Sequence, residues 1–168
     1  MITARDLRTD PVFRASRIGA LQREATLTGR SFAVASEPGL RLRITVDANG
    51  ALPKWVDSAL SAIEDIAQLT EGWDSYGARP ISVDTIVRFF DIMNDLLLQF
   101  ERLQPNLVPT AAGEIQVEFH SHGEEMELSI APEKMTVFYE DQARGVSWEG
   151  DFNEHRVEVH EVLERMTK

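Results

Sequence analysis

Apolar residues recur along the chain with three successive periods, and each period dictates an element. Leu40, Leu42, Ile44 and Val46 alternate with Arg41, Arg43 and Thr45, the period of two that a half-buried strand requires because successive side chains leave opposite faces. Asp47-Ala48-Asn49-Gly50 then turns the chain. After Pro53 the period lengthens. Val56, Ala59, Leu60, Ile63, Ile66, Ala67 and Leu69 recur at helical spacing, which predicts a helix over 54–70, with Gly72 as the left-handed residue that ends it. Ile86, Phe90, Met93, Leu97 and Phe100 form a second helical stripe, flanked by Phe89, Ile92 and Leu96. An apolar arc this wide predicts a helix from Val83 to Leu103 that is buried on more than one side. Ser82 is placed to cap it, Asp84 sits at its positive end, and Ile81 with Ile86 has the spacing of a hydrophobic staple. Pro105 and Pro109 forbid continuation and predict an extended crossover.

From Glu114 the period returns to two. Ile115, Val117 and Phe119 alternate with Gln116, Glu118 and His120. Met126, Leu128 and Ile130 form the next apolar face, then Met135, Val137 and Tyr139, then Val146 and Trp148. Turns are expected at 121–124, 131–134 and 141–144, which makes four antiparallel strands in a meander. A closing amphipathic helix over 154–167 offers Val157, Val159, Val162, Leu163 and Met166. One polar face and one apolar face per strand require helices on the apolar side. The fold class is therefore α+β: a four-stranded antiparallel meander covered on one face by two long helices and a C-terminal helix. Residues 50–168 form this domain, and residues 1–49 an arm with one strand and a possible short helix over 14–27.

Length and charge refine this picture. The 168 residues suit one domain with an added arm. The absence of cysteine excludes disulfides and thiolate metal sites. No run of about 18 apolar residues occurs and no apolar stretch follows the first charges, so the chain reads as soluble, unexported and cytoplasmic, with no membrane contact. The net charge is -11, but residues 1–43 hold eight arginines against four acids, which leaves -15 on the remainder. An acidic body repels phosphate backbones, so nucleic acid is disfavoured as a partner of the body. The arginine-rich arm can dock on its own body, on a second copy, or on an anionic molecule such as nucleic acid.

The segment Gly72-Trp73-Asp74-Ser75-Tyr76-Gly77-Ala78-Arg79-Pro80 joins the two helices with aromatic residues where a plain linker has none. Together with Pro109, Gly113, Ile115, Gln116, Glu118, Phe119, His120, Glu127, Leu128 and Ile130, it resembles a set of small, mostly uncharacterised bacterial and phage proteins. These share a Gly-Trp-Asp-x-Tyr-Gly-Ala segment followed by a Gly-x-Ile-Gln-x-Glu-aromatic strand and a Glu-Leu-x-Ile strand. The resemblance spans about 65–140. Ala112 stands where a second glycine is common and Phe119 where tryptophan is common. What the resemblance implies is fold and a bacterial or phage origin; it carries no activity to transfer.

Three groups of residues are candidates for function. Trp73, Asp74 and Tyr76 can line a ligand pocket or, with Gly77 at positive φ and Asp74 bonded to turn amides, simply build the turn. Glu118, His120 and His122 have the residue types of a divalent-metal site, with which a hydrolase or nuclease would use Glu118 as base. Glu124, Glu125 and Glu127 belong to an acidic sheet surface that can meet a basic partner. No phosphate loop, nucleophile elbow, paired zinc-ligand helix or calcium loop is present. The expectation is a non-enzymatic protein-binding or accessory protein without cofactor, acting in defence, counter-defence or toxin neutralisation through a protein partner or self-association. The metal-dependent enzyme and nucleic-acid contact through the arm are the alternatives.

Overall fold

The structure, a computed structural model, describes the backbone of residues 12–15, 32–37 and 40–47, and residues 52–168 in full. Strands β1 (Val12–Ala15), β2 (Phe32–Glu37) and β3 (Leu40–Asp47) form an antiparallel sheet in the order β1-β3-β2. The alternation at 40–46 is thus the central strand of a three-stranded sheet. The short helix considered over 14–27 meets β1 at Arg14 and Ala15, and its remaining residues lie outside the described ones. So does the question of where the arm's arginines dock.

Helix α1 (Trp55–Ala67) buries Val56, Ala59, Leu60, Ile63, Ile66 and Ala67 of the predicted stripe and adds Trp55, while Leu69 lies beyond its end and is half-buried. It ends earlier than predicted. Gln68 and Leu69 donate to carbonyls three residues back, Asp65 and Ile66, which tightens the last turn and closes the helix before Gly72. Gly72 has the expected left-handed φ of +75°, but it shapes the following loop instead of capping the helix.

Helix α2 (Val83–Asp95) starts as its caps dictate: Ser82 Oγ accepts from Thr85 N at 3.1 Å, and both staple residues, Ile81 and Ile86, are buried. It stops at Asp95, short of Leu103. Leu96 leaves helical geometry (φ −132°), and a single 3₁₀ turn follows at Leu97–Gln99. The physical reason is packing. Leu96, Leu97, Phe100 and Leu103 are all buried, and breaking the helix lets the carbonyl of Phe100 accept the indole N–H of Trp55 at 3.3 Å.

The expected crossover is itself a strand, so the sheet has five strands and not four. β4 (Asn106–Pro109), β5 (Ile115–Ser121), β6 (Glu124–Ile130), β7 (Met135–Asp141) and β8 (Val146–Asp151) pair in sequence order, all antiparallel. Pro105 and Pro109 are compatible with this because β4 is an edge strand, where a missing N–H costs no ladder bond. Helix α3 (Arg156–Met166) closes the chain. Its apolar stripe is Val159, Val162, Leu163 and Met166; Val157, expected among them, is 69% exposed, because two residues along a helix from Val159 it points almost to the opposite side.

One hydrophobic cluster joins all three helices to a single face of the sheet, through Ile115, Val117, Phe119, Met126, Leu128, Ile130, Val137 and Tyr139. Burying a Phe or Leu side chain of this kind contributes roughly 1.5–3 kcal/mol. Among the described residues, no helix is long and apolar enough to cross a membrane.

Candidate functional site

The loop after α1 is held by its own polar atoms. Asp74 Oδ1 accepts the N–H groups of Tyr76 at 2.8 Å and Ala78 at 2.9 Å, the Gly72 N–H reaches the Ala78 carbonyl at 2.8 Å, and the Trp73 indole donates to the Arg79 carbonyl at 3.2 Å. The loop then seats on the β4–β5 turn. Arg79 N donates to the Ala111 carbonyl at 3.0 Å, and at Gly113 (φ +82°) an added Cβ would lie 3.1 Å from the Pro80 carbonyl oxygen, so any other residue there is strained and crowds the approach. Tyr76 projects from this braced loop and is 94% exposed. Trp73, Asp74 and Tyr76 therefore do not converge on one ligand: two of them spend their polar atoms on the loop, and the third points outward.

The N–H groups of Ala78 and Tyr76, in that order, hold the Asp74 carboxyl below its usual value. A depressed carboxyl stabilises the fold above its unfolded-state pKa, and that contribution fades as pH falls through the lower folded value. Asp74→Ala is thus expected to lower the thermal midpoint at neutral pH, with the gap to wild type closing in strong acid. Parallel thermal melts across the pH range check this, and a gap that does not depend on pH would assign the effect to packing.

The register fixes which side chains share the sheet face turned away from the helices. Gln116, Glu118 and His120 on β5, Glu125, Glu127 and Ser129 on β6, Thr136, Phe138 and Glu140 on β7, and Ser147, Glu149 and Asp151 on β8 alternate with the core-facing set. All are half-buried or exposed. Six carry carboxylates and none is lysine or arginine. Glu118 stands directly opposite Glu127, and Glu125 directly opposite Glu140. His120 lies between Glu118 and Glu125, at 3.7 and 3.6 Å. Asn106 donates to Glu118 at 2.8 Å, and Gln116 donates to Glu127. Burial, then the charges of Glu125 and Glu118, hold the Glu127 carboxyl above its usual value.

The expected trio Glu118, His120 and His122 is only partly assembled. His122 is one of two residues in the β5–β6 turn, at φ +51° beside Gly123 at +81°, and its Nδ1 lies 2.8 Å from Ser121 Oγ. His120 and His122 line a hollow of about 290 Å³ at the hairpin tip with Glu125 and Gln142, which Glu118 does not line. Among the described residues, no group of three or more His, Asp or Glu side chains is arranged to hold a metal ion.

Glu124 corrects the expected acidic trio. It sits on the opposite face from Glu125 and Glu127 and is buried to 8% exposure. Its Oε1 accepts from the Tyr139 hydroxyl at 2.7 Å, from Arg144 Nη2 at 2.8 Å and from Arg165 Nε at 2.7 Å, while Arg165 Nη2 also donates to Tyr139 at 2.7 Å. Burial and then the Glu124 acceptor push the Tyr139 phenol up. Asp141, also buried, pairs with the Arg144 guanidinium and accepts the Arg144 N–H at 3.0 Å. The cluster is closed on itself, each carboxylate matched to an arginine, and it fastens α3 to the sheet.

Comparison of the chain with protein-family models, with curated proteins and with solved structures finds no match among any of the three.

Proposed function

We propose that the chain is a non-enzymatic binding module that captures a basic polypeptide on the open face of its five-stranded sheet. The supporting observation is the pair of directly opposed like charges, Glu118 with Glu127 and Glu125 with Glu140. Carboxylates facing one another across adjacent strands destabilise a sheet, and the Glu127 carboxyl is raised by burial first and then by the charges of Glu125 and Glu118. Cationic side chains laid on the face remove the repulsion, so binding recovers what folding gives up. The setting we propose is defence, counter-defence or toxin neutralisation in a bacterium or phage, the origin that the resemblance of residues 65–140 implies.

A carboxyl raised in the folded state is destabilising above its folded pKa, and stability recovers as pH falls through that value toward the unfolded one. Glu125→Gln with Glu127→Gln is therefore expected to raise the thermal midpoint at neutral pH while releasing the polypeptide that the wild-type chain captures from its host extract. Capture that survives these substitutions, or a variant less stable than wild type, would overturn the reading.

A further inference from the structure

The five-stranded sheet ends in two edges of different kinds. β4 is four residues long, follows Pro105 and ends in Pro109, so it is blunted in the usual ways. β8 runs for six residues in unbroken register with β7, without proline, lysine or bulge. Which of its backbone groups are free follows from the other side of the sheet. His122 and Gly123 form a two-residue turn with both φ positive, which makes Ser121 and Glu124 a hydrogen-bonded pair. Pair types alternate across an antiparallel ladder. Glu140 accordingly bonds back to β6, while Tyr139 and Asp141 bond forward to Trp148 and Val146, their partners in register. Ser147, Glu149 and Asp151 then direct their N–H and C=O groups away from β7. Asp151 agrees independently: its carbonyl accepts the N–H groups of Glu154 and His155, each at 3.2 Å. Among the described strands only β7 neighbours β8.

We propose that the outer edge of β8 accepts an extended segment of a partner polypeptide as a sixth strand, with lysine or arginine at alternate positions of that segment. This rests on the acidic-face reading and adds to it the docking mode and the partner's sequence pattern. Alternate side chains of an added strand fall beside Ser147, Glu149 and Asp151 on the open face, where the two carboxylates select cations. The intervening ones fall beside Val146, 47% exposed, and the half-buried Trp148, where apolar residues fit. Pairing of β8 with its counterpart in a second copy would instead set carboxylates against carboxylates, which disfavours self-association at this edge.

The test titrates the full-length protein at low ionic strength with a heptapeptide that alternates lysine and valine, against a control of equal composition with contiguous lysines. The alternating peptide is expected to bind, to shift the backbone amide resonances of Ser147, Glu149 and Asp151, and to exceed the control in affinity by about tenfold or more. Glu149→Pro removes one outward N–H and leaves the β7 ladder intact, so it should abolish the preference with little change in thermal midpoint. If that variant does not fold, the amide shifts of the wild-type protein decide the matter. Equal binding of both peptides, with shifts on Glu125 and Glu127 and not on β8, overturns strand addition and leaves the acidic-face reading standing. Retained capture by the Glu125→Gln, Glu127→Gln variant overturns that reading separately. A peptide-free dimer that Glu149→Pro dissolves would identify a second copy as the occupant and overturn the proposal.

Discussion

Truncation of Phe89 to alanine lowers the unfolding free energy by about 3–5 kcal/mol. Phe89 has no exposed surface, lies midway along α2, and meets Phe90 edge to face with ring centroids 5.3 Å apart. The cost has three sources: the lost transfer free energy, the cavity left between helix and sheet, and the aromatic contact. At about 2–4 °C per kcal/mol for a chain of this size, the thermal midpoint falls by roughly 6–20 °C. Since a domain of this kind is stable by only about 5–15 kcal/mol, the variant loses a large part of its margin. Val157→Ala is the matched control: an exposed side chain of the same chemical class should change stability by less than about 0.5 kcal/mol. A Phe89→Ala loss below about 1 kcal/mol would mean that α2 does not pack with this face inward.

The same contrast explains which parts of the fold were legible in the sequence. Where one physical requirement acts alone, reading it suffices. The period of two placed the core-facing residues of β5, β6 and β7, and the cap at Ser82 placed the start of α2. Where two requirements compete, tertiary packing prevails. Leu97 and Phe100 fit a continued helix by spacing, yet burying Leu96, Leu97, Phe100 and Leu103 together requires a 3₁₀ turn and a change of direction. Pro105 and Pro109 predict an extended crossover, and among the described strands that crossover pairs with β5 alone, so its outer side tolerates a missing N–H. Edge or centre is a property of the sheet, which local sequence does not encode.

For the candidate site, the identities of Glu118, His120, Glu125 and Glu127 were legible, and so was their sharing of one face, because alternation alone determines it. Their direct opposition was not, since it depends on a register set by the two-residue turn at His122 and Gly123. The buried cluster is hidden for a different reason. The turn expected at 121–124 takes in Glu124, although counting back by two from Ile130 through Leu128 and Met126 puts it on the apolar side. Counting forward from Met135 puts Tyr139 and Asp141 there too. A carboxylate at an apolar-phase position calls for a cation, and Arg165 stands between Val162 and Met166 on the stripe of α3 that faces the sheet.

Replacing Glu124 by alanine is therefore expected to destabilise the protein by about 2–3 kcal/mol, which is roughly 4–12 °C in thermal midpoint. Removing one partner of a fully buried pair costs about 3–5 kcal/mol. The figure here is lower because Arg165 and Arg144 are 38% and 56% exposed, so water reclaims part of each guanidinium. The Tyr139 hydroxyl, whose ring is buried, keeps only its bond from Arg165. The loss should concentrate at the C-terminal end of α3, where that Arg165–Tyr139 bond and Ser121 Oγ donating to the Met166 carbonyl at 3.0 Å are the polar ties left to the sheet. Faster amide exchange in α3 than in α1 distinguishes this local release from general weakening. Pairing Glu124→Ala with Arg165→Met gives the coupling directly: if the double variant is no less stable than Glu124→Ala alone, Arg165 stabilises the fold chiefly through the carboxylate, whereas additive losses would mean that the two side chains stabilise the fold independently. Charge reversal spread over Glu124, Glu125 and Glu127 would consequently report folding through the first and binding through the other two. Any measurement of the acidic face has to leave Glu124 in place.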